Sequence, residues 1–312
     1  MPESAQPKII VLAGPTGIGK TVLSIEMAER FNGAIVGADS MQVYQYMDIG
    51  TAKPDAGEQA QAPHYMIDVA TPDQPFDAAA YARMARAAVY RILDQGRLPF
   101  VVGGTGFYIK ALLHGLFPAK PADAAVRGRL HQEAVEKGIH HLYDRLRQAD
   151  PPAAERIHPN DTYRIIRALE VYDITGRPMS DYQAAHGFSE QPFKALKFCL
   201  YMDREALYER INRRVETMVA AGLLEEVKRL LARGYSADLK PMQSLGYRHM
   251  LDYLSGRLDW ATAVDQLKKD TRRYAKRQLT WFRNDPEMIW KQPSEKKSIF
   301  ERVAHFIHSN KQ

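Results

Sequence analysis

The segment GPTGIGKT, Gly14 to Thr21, constrains this chain more than any other feature. It fits G-x-x-x-x-G-K-[ST] without a mismatch. It also lies between an apolar run, KIIVLA (8–13), and a helical pattern from Lys20 to about Phe31. A glycine-rich turn that leads from a buried strand into a helix is a cradle for phosphate. Gly14, Gly17 and Gly19 let the backbone N–H groups of the loop, including those of Thr16 and Ile18, turn inward around phosphate oxygens, with Pro15 shaping the turn. The helix N-terminus adds partial positive charge. Lys20 is placed to neutralise a terminal phosphate, and the Thr21 hydroxyl to ligate Mg²⁺.

The pattern around this loop alternates strands and helices. AIVGAD (34–39) reads as a second strand and HYMIDV (64–69) as a weaker third. A long amphipathic helix follows over 77–95, then a strand at LPFVVGG (98–104). This rhythm predicts an α/β fold: a parallel, P-loop NTPase-like sheet flanked by helices. From Pro121 the pattern becomes helical, with a start at HPND (158–161), where Asn160 or Asp161 caps, and a stop at TGRP (175–178). Strand character returns at KFCLYMD (197–203). Helices are then expected over about 204–233, 244–255, 259–281 and 295–308. The expected organisation is a core over 1–120, an all-helical insertion over 121–190, and a return to the core over 191–312.

Composition narrows the class. Of the 312 residues 45% are hydrophobic and 26% charged, a globular balance, and no apolar stretch reaches the roughly 18 residues of a membrane span. The start, MPESAQPK, has no apolar signal region. One cysteine, Cys199, excludes an internal disulfide framework and a multi-cysteine zinc site. It sits in an apolar run as a small buried hydrophobe. The ten histidines show no metal-ligand spacing, so no zinc is expected. These features predict a cytoplasmic protein without membrane contact. The net charge is +6, and residues 268–283 (KKDTRRYAKRQLTWFR) hold seven basic side chains against Asp270, which accounts for the whole excess. Charge concentrated in this way points to a polyanionic partner.

A phosphate loop does not name a reaction. Most such sites also use an acid at the end of a neighbouring strand. Asp39, at the end of the second strand, would lie at the sheet's carboxyl edge where α/β ligands bind. Asp203, at the end of the late strand, is better read as the cap of the helix beginning near Arg204.

Seven blocks, in order, carry a resemblance: GPTGIGKT, DSMQVYQYMDIGTAKP (39–54), APHYMIDV (62–69), VVGGTGFYIKALL (101–113), HPNDTYRIIRALEVY (158–172), SLGYRHM (244–250) and TRRYAKRQLTWFR (271–283). Together they resemble the tRNA dimethylallyltransferases, or tRNA isopentenyltransferases, of the bacterial MiaA type. The zinc finger often found at the C-terminus of eukaryotic relatives has no counterpart here. The resemblance implies transfer of a dimethylallyl group from dimethylallyl diphosphate to the exocyclic amine of the adenosine 3′-adjacent to the tRNA anticodon, with Mg²⁺ required and diphosphate released. It implies that Asp39 is the general base and that Arg214, in ERINRRVETM, grips the diphosphate, with Arg210 one turn away as its rival. Ser40, Met41 and Gln42 would line the adenine pocket, although MQV (41–43) departs from the apolar run of many relatives. Thr105, Arg127, the run Tyr163, Arg164, Ile165, Ile166 and Arg167, and the stretch Gln243, Ser244, Gly246 and Tyr247 would contact tRNA at its anticodon stem-loop. So would Arg273, Lys276 and Arg277. Tyr274 and Trp281 share a face of the basic helix and suit either base stacking or core packing. A monomer is expected.

The residue types support this chemistry on their own. An allylic diphosphate presents the same two linked phosphates as ATP, and cationic groups stabilise the charge that builds on the leaving group. An adenine amine is a weak nucleophile that benefits from a carboxylate accepting its proton, and the base must be flipped out to be reached. Two rival functions use the same loop: an ATP-dependent kinase of a small molecule or nucleotide, and a prenyltransferase of free adenine nucleotides. A non-catalytic RNA-binding module is the third alternative.

Overall fold

Short apolar runs pair into a single parallel sheet in the computed structural model, which describes residues 6–117 and 123–309. The strands are β1 (Lys8–Ala13), β2 (Gly33–Gly37), β3 (His64–Tyr65), β4 (Leu98–Gly103), β5 (Lys194–Leu200) and β6 (Ile289–Lys291), in the order β3-β2-β4-β1-β5-β6. All five pairings are parallel, and β1 sets Ile10 between Phe100 and Leu196. Residues 9–13 are fully buried whichever way they point, so both faces of β1 are covered. A strand covered on both faces reads as an unbroken apolar run, which is why KIIVLA does not alternate. Helices Lys20–Arg30, Arg204–Ala220, Trp260–Arg283 and Lys296–His308 contribute Met27, Ile211, Ala275 and Val303 to the core that covers Ile10, Leu12 and Phe198. Cys199 is buried in β5, where burial pushes its thiol up to about 12.

The chain divides into two compact units, 1–113 with 191–312, and 114–190. The described residues of the second unit form helices Ala124–Lys137, Ile139–Ala149, Pro151–Arg156, Thr162–Thr175 and Met179–His186 around Leu130, Leu142, Leu146 and Leu169. The Asp161 side chain, not that of Asn160, caps Thr162–Thr175 by accepting from the Arg164 N–H. The boundary expected at 120–121 lies outside the described residues.

Several elements differ from the sequence expectations. The third strand stops after two residues, because Met66 and Asp68 adopt positive φ and turn the chain away from the sheet. Strand β2 ends at Gly37, two residues before Asp39. The helix expected over 204–233 is two helices, broken at Gly222 in the left-handed region before Leu223–Ala232. Asp203 is the cap of Arg204–Ala220, accepting from the N–H groups of Glu205 and Ala206. Helix Ala56–Gln61 and strand β6 had no clear periodic signal. Among the described residues no helix is long and apolar enough to cross a membrane.

Candidate active site

The turn after β1 places Gly14, Gly17 and Gly19 at positive φ, a region that glycine enters without strain. The loop closes on its own lysine: the Lys20 Nζ donates to the Gly14 and Pro15 carbonyls, each at 2.9 Å. Burial, with the nearby Arg214 charge adding to it, lowers Lys20 to about 8, while Asp39 and Cys199 act in the opposite sense. Arg214 comes from helix Arg204–Ala220. Its Nη2 reaches the Thr51 carbonyl at 3.5 Å, the outer limit of a hydrogen bond, and its buried Nε has no partner. Burial lowers its pKa as well. Two half-buried cations on one cavity wall, with one guanidinium nitrogen left without a partner, make a receptor for an anion with several charges. Of the two candidate arginines, Arg214 lines the loop's cavity with Lys20 as well as the open groove of about 1180 Å³ beside it, whereas Arg210 lines only that groove and reaches the Gly19 side of the loop.

Asp39 stands just past β2 and uses Oδ1 to accept from the N–H groups of Met41 (2.9 Å) and Gln42 (3.4 Å). This turn aims the carboxylate along the carboxyl edge of the sheet. Two cavities meet there. One, of about 90 Å³, is lined by the phosphate loop from Thr16 to Thr21, with Asp39, His64 and Arg214. The other, of about 540 Å³, is lined by Ser40, Met41, Gly50, Ser244 and the basic-helix residues Arg273, Tyr274 and Arg277. Thr16, Asp39 and Arg214 belong to the walls of both. The phosphate loop, the acid and the basic helix therefore border two adjoining cavities with walls in common.

The sequence matches the IPP transferase family over residues 42–285. The chain belongs to that family. A tRNA dimethylallyltransferase of Desulfosudis oleivorans is 59% identical over 302 residues, covering 97% of this chain and 95% of the relative. One from Desulfatibacillum aliphaticivorans is 50% identical, covering 97% and 99%. Among solved structures, a tRNA isopentenylpyrophosphate transferase from Bacillus halodurans is 40% identical, with a TM-score of 0.72 and 96% of each chain covered. A eukaryotic dimethylallyltransferase acting on tRNA is 28% identical, with a TM-score of 0.82, covering 98% of this chain and 81% of that one.

In this member of the IPP transferase family the other expected site residues fall into three groups. Some reach the cavities. Thr105 Oγ1 accepts from the Ser40 N–H at 3.0 Å and lies beside Tyr274, whose pKa burial raises. Ser40, Met41, Gln243, Ser244, Gly246, Arg273 and Arg277 line the larger cavity, and the buried Ser244 Oγ has no partner. Gln42 lines the smaller cavity and donates to the Thr51 and Ala52 carbonyls. Lys276 is exposed on the basic helix, beside Arg277. Tyr274 faces the site, whereas Trp281 is exposed against Phe107.

A second group lies in the helical unit. Tyr163 is 68% exposed, and Arg164 is exposed and paired with Asp161. Arg127 and Arg167 hold the fully buried carboxylate of Glu170 at 2.8 and 2.7 Å, and the Asp123 N–H donates to it at 3.0 Å.

The third group corrects the expectation of RNA contact. Ile165 and Ile166 are 0% and 2% exposed and pack in the helical unit's core. Tyr247 is fully buried, and its hydroxyl donates to Glu226 at 2.6 Å. Glu226 also accepts from the N–H groups of Asp48, Ile49 and Gly50, fixing the wall between Gln42 and Thr51. Glu226 and Gln278 escaped the sequence reading. Gln278 gave a signal, a polar residue in the buried stripe Ala263, Leu267, Thr271, Ala275, Gln278 and Phe282.

Proposed function

We propose that the chain transfers a dimethylallyl group from dimethylallyl diphosphate to the exocyclic amine of the adenosine 3′-adjacent to the tRNA anticodon, releasing diphosphate. The observation that carries this reading is the shared wall of the two cavities. Thr16, Asp39 and Arg214 face the phosphate loop on one side and the basic helix on the other.

The diphosphate occupies the loop, held by Lys20, Arg214 and the loop N–H groups other than those of Thr16 and Ile18, which donate to the Gln278 Oε1 and the Pro15 carbonyl. A flipped adenine enters the larger cavity, whose roughly 540 Å³ lies within the usual range for small-molecule sites. The amine nitrogen forms a bond to the allylic carbon, and the carbon–oxygen bond breaks with its electron pair going to the diphosphate. Asp39 takes the amine proton. Lys20 and Arg214 stabilise the charge on the leaving group, a contribution that grows toward the transition state.

Mg²⁺ characteristically keeps several waters and takes one or two protein oxygens together with substrate phosphates. The Thr21 hydroxyl, on the wall of the loop's cavity, suits that role, and the ion would supply further neutralisation of the leaving group. Among the described residues no cluster of three or more His, Cys, Asp or Glu forms a metal cage, which fits an ion bound mainly through substrate.

The test is nucleoside analysis of tRNA after incubation with the protein, Mg²⁺ and dimethylallyl diphosphate. A prenylated adenosine next to the anticodon is expected. Consumption of ATP to phosphorylate a metabolite, with dimethylallyl diphosphate inert, would establish a kinase instead. Prenylation of free AMP with weak salt dependence would establish a nucleotide-directed enzyme, since tRNA use must fall steeply with added salt.

A further inference from the structure

The basic helix and the phosphate loop are joined by one side chain. Gln278 is 5% exposed and uses both ends of its amide: Oε1 accepts from the Thr16 N–H at 2.9 Å, and Nε2 donates to the Gly104 carbonyl at 3.0 Å. The Thr16 N–H belongs to the same peptide group as the Pro15 carbonyl. That group is planar and trans, so fixing the N–H fixes the direction of the carbonyl. The Pro15 carbonyl holds the Lys20 ammonium at 2.9 Å. An unbroken line therefore runs from Gln278 through one rigid peptide to the cation of the phosphate loop.

The other end of that line is the RNA-facing surface. One helical turn before Gln278, Tyr274 lies beside Thr105, whose Oγ1 holds the Ser40 N–H next to Asp39. Arg273 and Arg277 flank these two residues on the same helix and line the larger cavity. The backbone makes room for this crossing: a Cβ on Gly104 would lie 2.0 Å from the Gln278 Nε2, and one on Gly106 would lie 2.0 Å from the Trp281 ring. A buried glutamine with both amide ends satisfied admits little slack, so a shift of the helix must move the Pro15–Thr16 peptide or break a buried hydrogen bond.

We propose that Gln278 is a positioning residue that couples tRNA binding to diphosphate binding. RNA gripping the helix Trp260–Arg283 sets the Pro15–Thr16 peptide, and with it Lys20, in the geometry that receives the diphosphate. This rests on the function proposed above. The coupling is reciprocal, as linkage requires, so each ligand raises the affinity for the other by the same factor.

The probes are inorganic diphosphate with Mg²⁺ and an unmodified tRNA, with each dissociation constant measured in the absence and presence of the other ligand. In the parent protein the two ratios are expected to agree at about 5-fold or more, the scale of ordinary allosteric coupling. In Gln278→Met, which keeps the shape and loses the amide, the ratio falls below about 2-fold, while the affinity for tRNA alone changes less than the ratio does. Gly104→Ala, which pushes the amide away from the opposite side, gives the same collapse and serves if the methionine variant melts without cooperativity. A purely structural role would lower the melting temperature and weaken both affinities together with the ratio unchanged, and that result overturns the inference. So does a ratio near one in the parent protein when both ligands bind. Failure to bind tRNA at all, together with no prenylated nucleoside in the transfer assay, defeats the functional reading itself.

Discussion

In the helical unit 114–190, the buried carboxylate of Glu170 receives Arg127, Arg167 and the Asp123 N–H. At the phosphate loop, Lys20 and Arg214 are half-buried on the wall of one cavity, with carbonyls as partners and one guanidinium nitrogen unmatched. Ordinary proton affinities are displaced in both places, for opposite reasons. Burial acts to raise the pKa of Glu170, but the hydrogen bonds and charge of its two arginines outweigh it and hold the carboxyl below its usual range. Burial, with the charge of Arg214 adding to it, lowers Lys20 to about 8. An unmatched buried charge costs several kcal/mol, so a fold that keeps one is poised for a counter-charge from outside, while a matched one serves as scaffold. The difference separates groups that do chemistry from groups that hold shape.

The largest effects are expected on the unmatched side. Asp39→Ala should lower turnover by about 10²-fold or more, the scale of a lost general base, while tRNA affinity stays close to that of the parent. Single-turnover rates at saturating tRNA check this, and near-normal turnover would remove Asp39 from the mechanism. Lys20→Ala should weaken use of dimethylallyl diphosphate more than RNA binding. An effect confined to RNA would contradict the phosphate assignment.

Matched carboxylates should behave in the other way. Glu226→Ala strands the N–H groups of Asp48, Ile49 and Gly50 and the Tyr247 hydroxyl, all bonded to one buried carboxylate. A loss of about 3 kcal/mol or more of stability is expected in denaturant titrations, since each buried donor left without an acceptor costs about 1–3 kcal/mol. If stability is unchanged and turnover alone falls, the comparison drawn above is wrong.

The pH dependence sharpens the contrast at Lys20. Its folded pKa lies below that of the unfolded chain, so the ligand-free protein gains stability as pH rises from about 8 toward the ordinary lysine value of 10.5, where the unfolded chain still holds the proton the folded one has lost. Diphosphate favours the ammonium form. Affinity for it should therefore decline above about pH 8, and binding at pH 8–9 should take up a proton, visible as a buffer-dependent heat in calorimetry. Heat independent of the buffer would mean that Lys20 stays charged in the empty loop.

How much of this was legible in the sequence depends on how local each feature is. The phosphate loop is eight consecutive residues whose backbone geometry follows from its glycines, and Asp39 follows from the strand before it. Arg214 lies far along the chain, and periodicity on a helix cannot say which of Arg210 and Arg214 meets a loop nearly two hundred residues away. Ile165 and Ile166 show the converse error. The apolar spacing of their helix places them in a core, and that spacing decides over their membership of a block shared with relatives. Positive φ at Met66 and Asp68, neither of them glycine, ends the third strand in a way no hydropathy pattern contains. Gln278 was visible only as a polar interruption of a buried stripe, and its partners come from two other elements.

The smallest effect belongs to Glu170. Its carboxyl has a folded pKa below the usual glutamate value of 4.5, so its contribution is present above that value and is lost as pH falls through the folded one. Glu170→Gln keeps the shape and removes the charge. At pH 7 it should cost about 1.5–3 kcal/mol, the scale of hydrogen bonds to a charged group. As acid protonates the parent carboxyl, the two proteins should converge in stability. Parallel denaturant titrations at pH 7 and near pH 3 measure this directly. A gap that persists in acid would assign the cost to packing of the glutamine amide rather than to the charge that Arg127 and Arg167 share with Glu170.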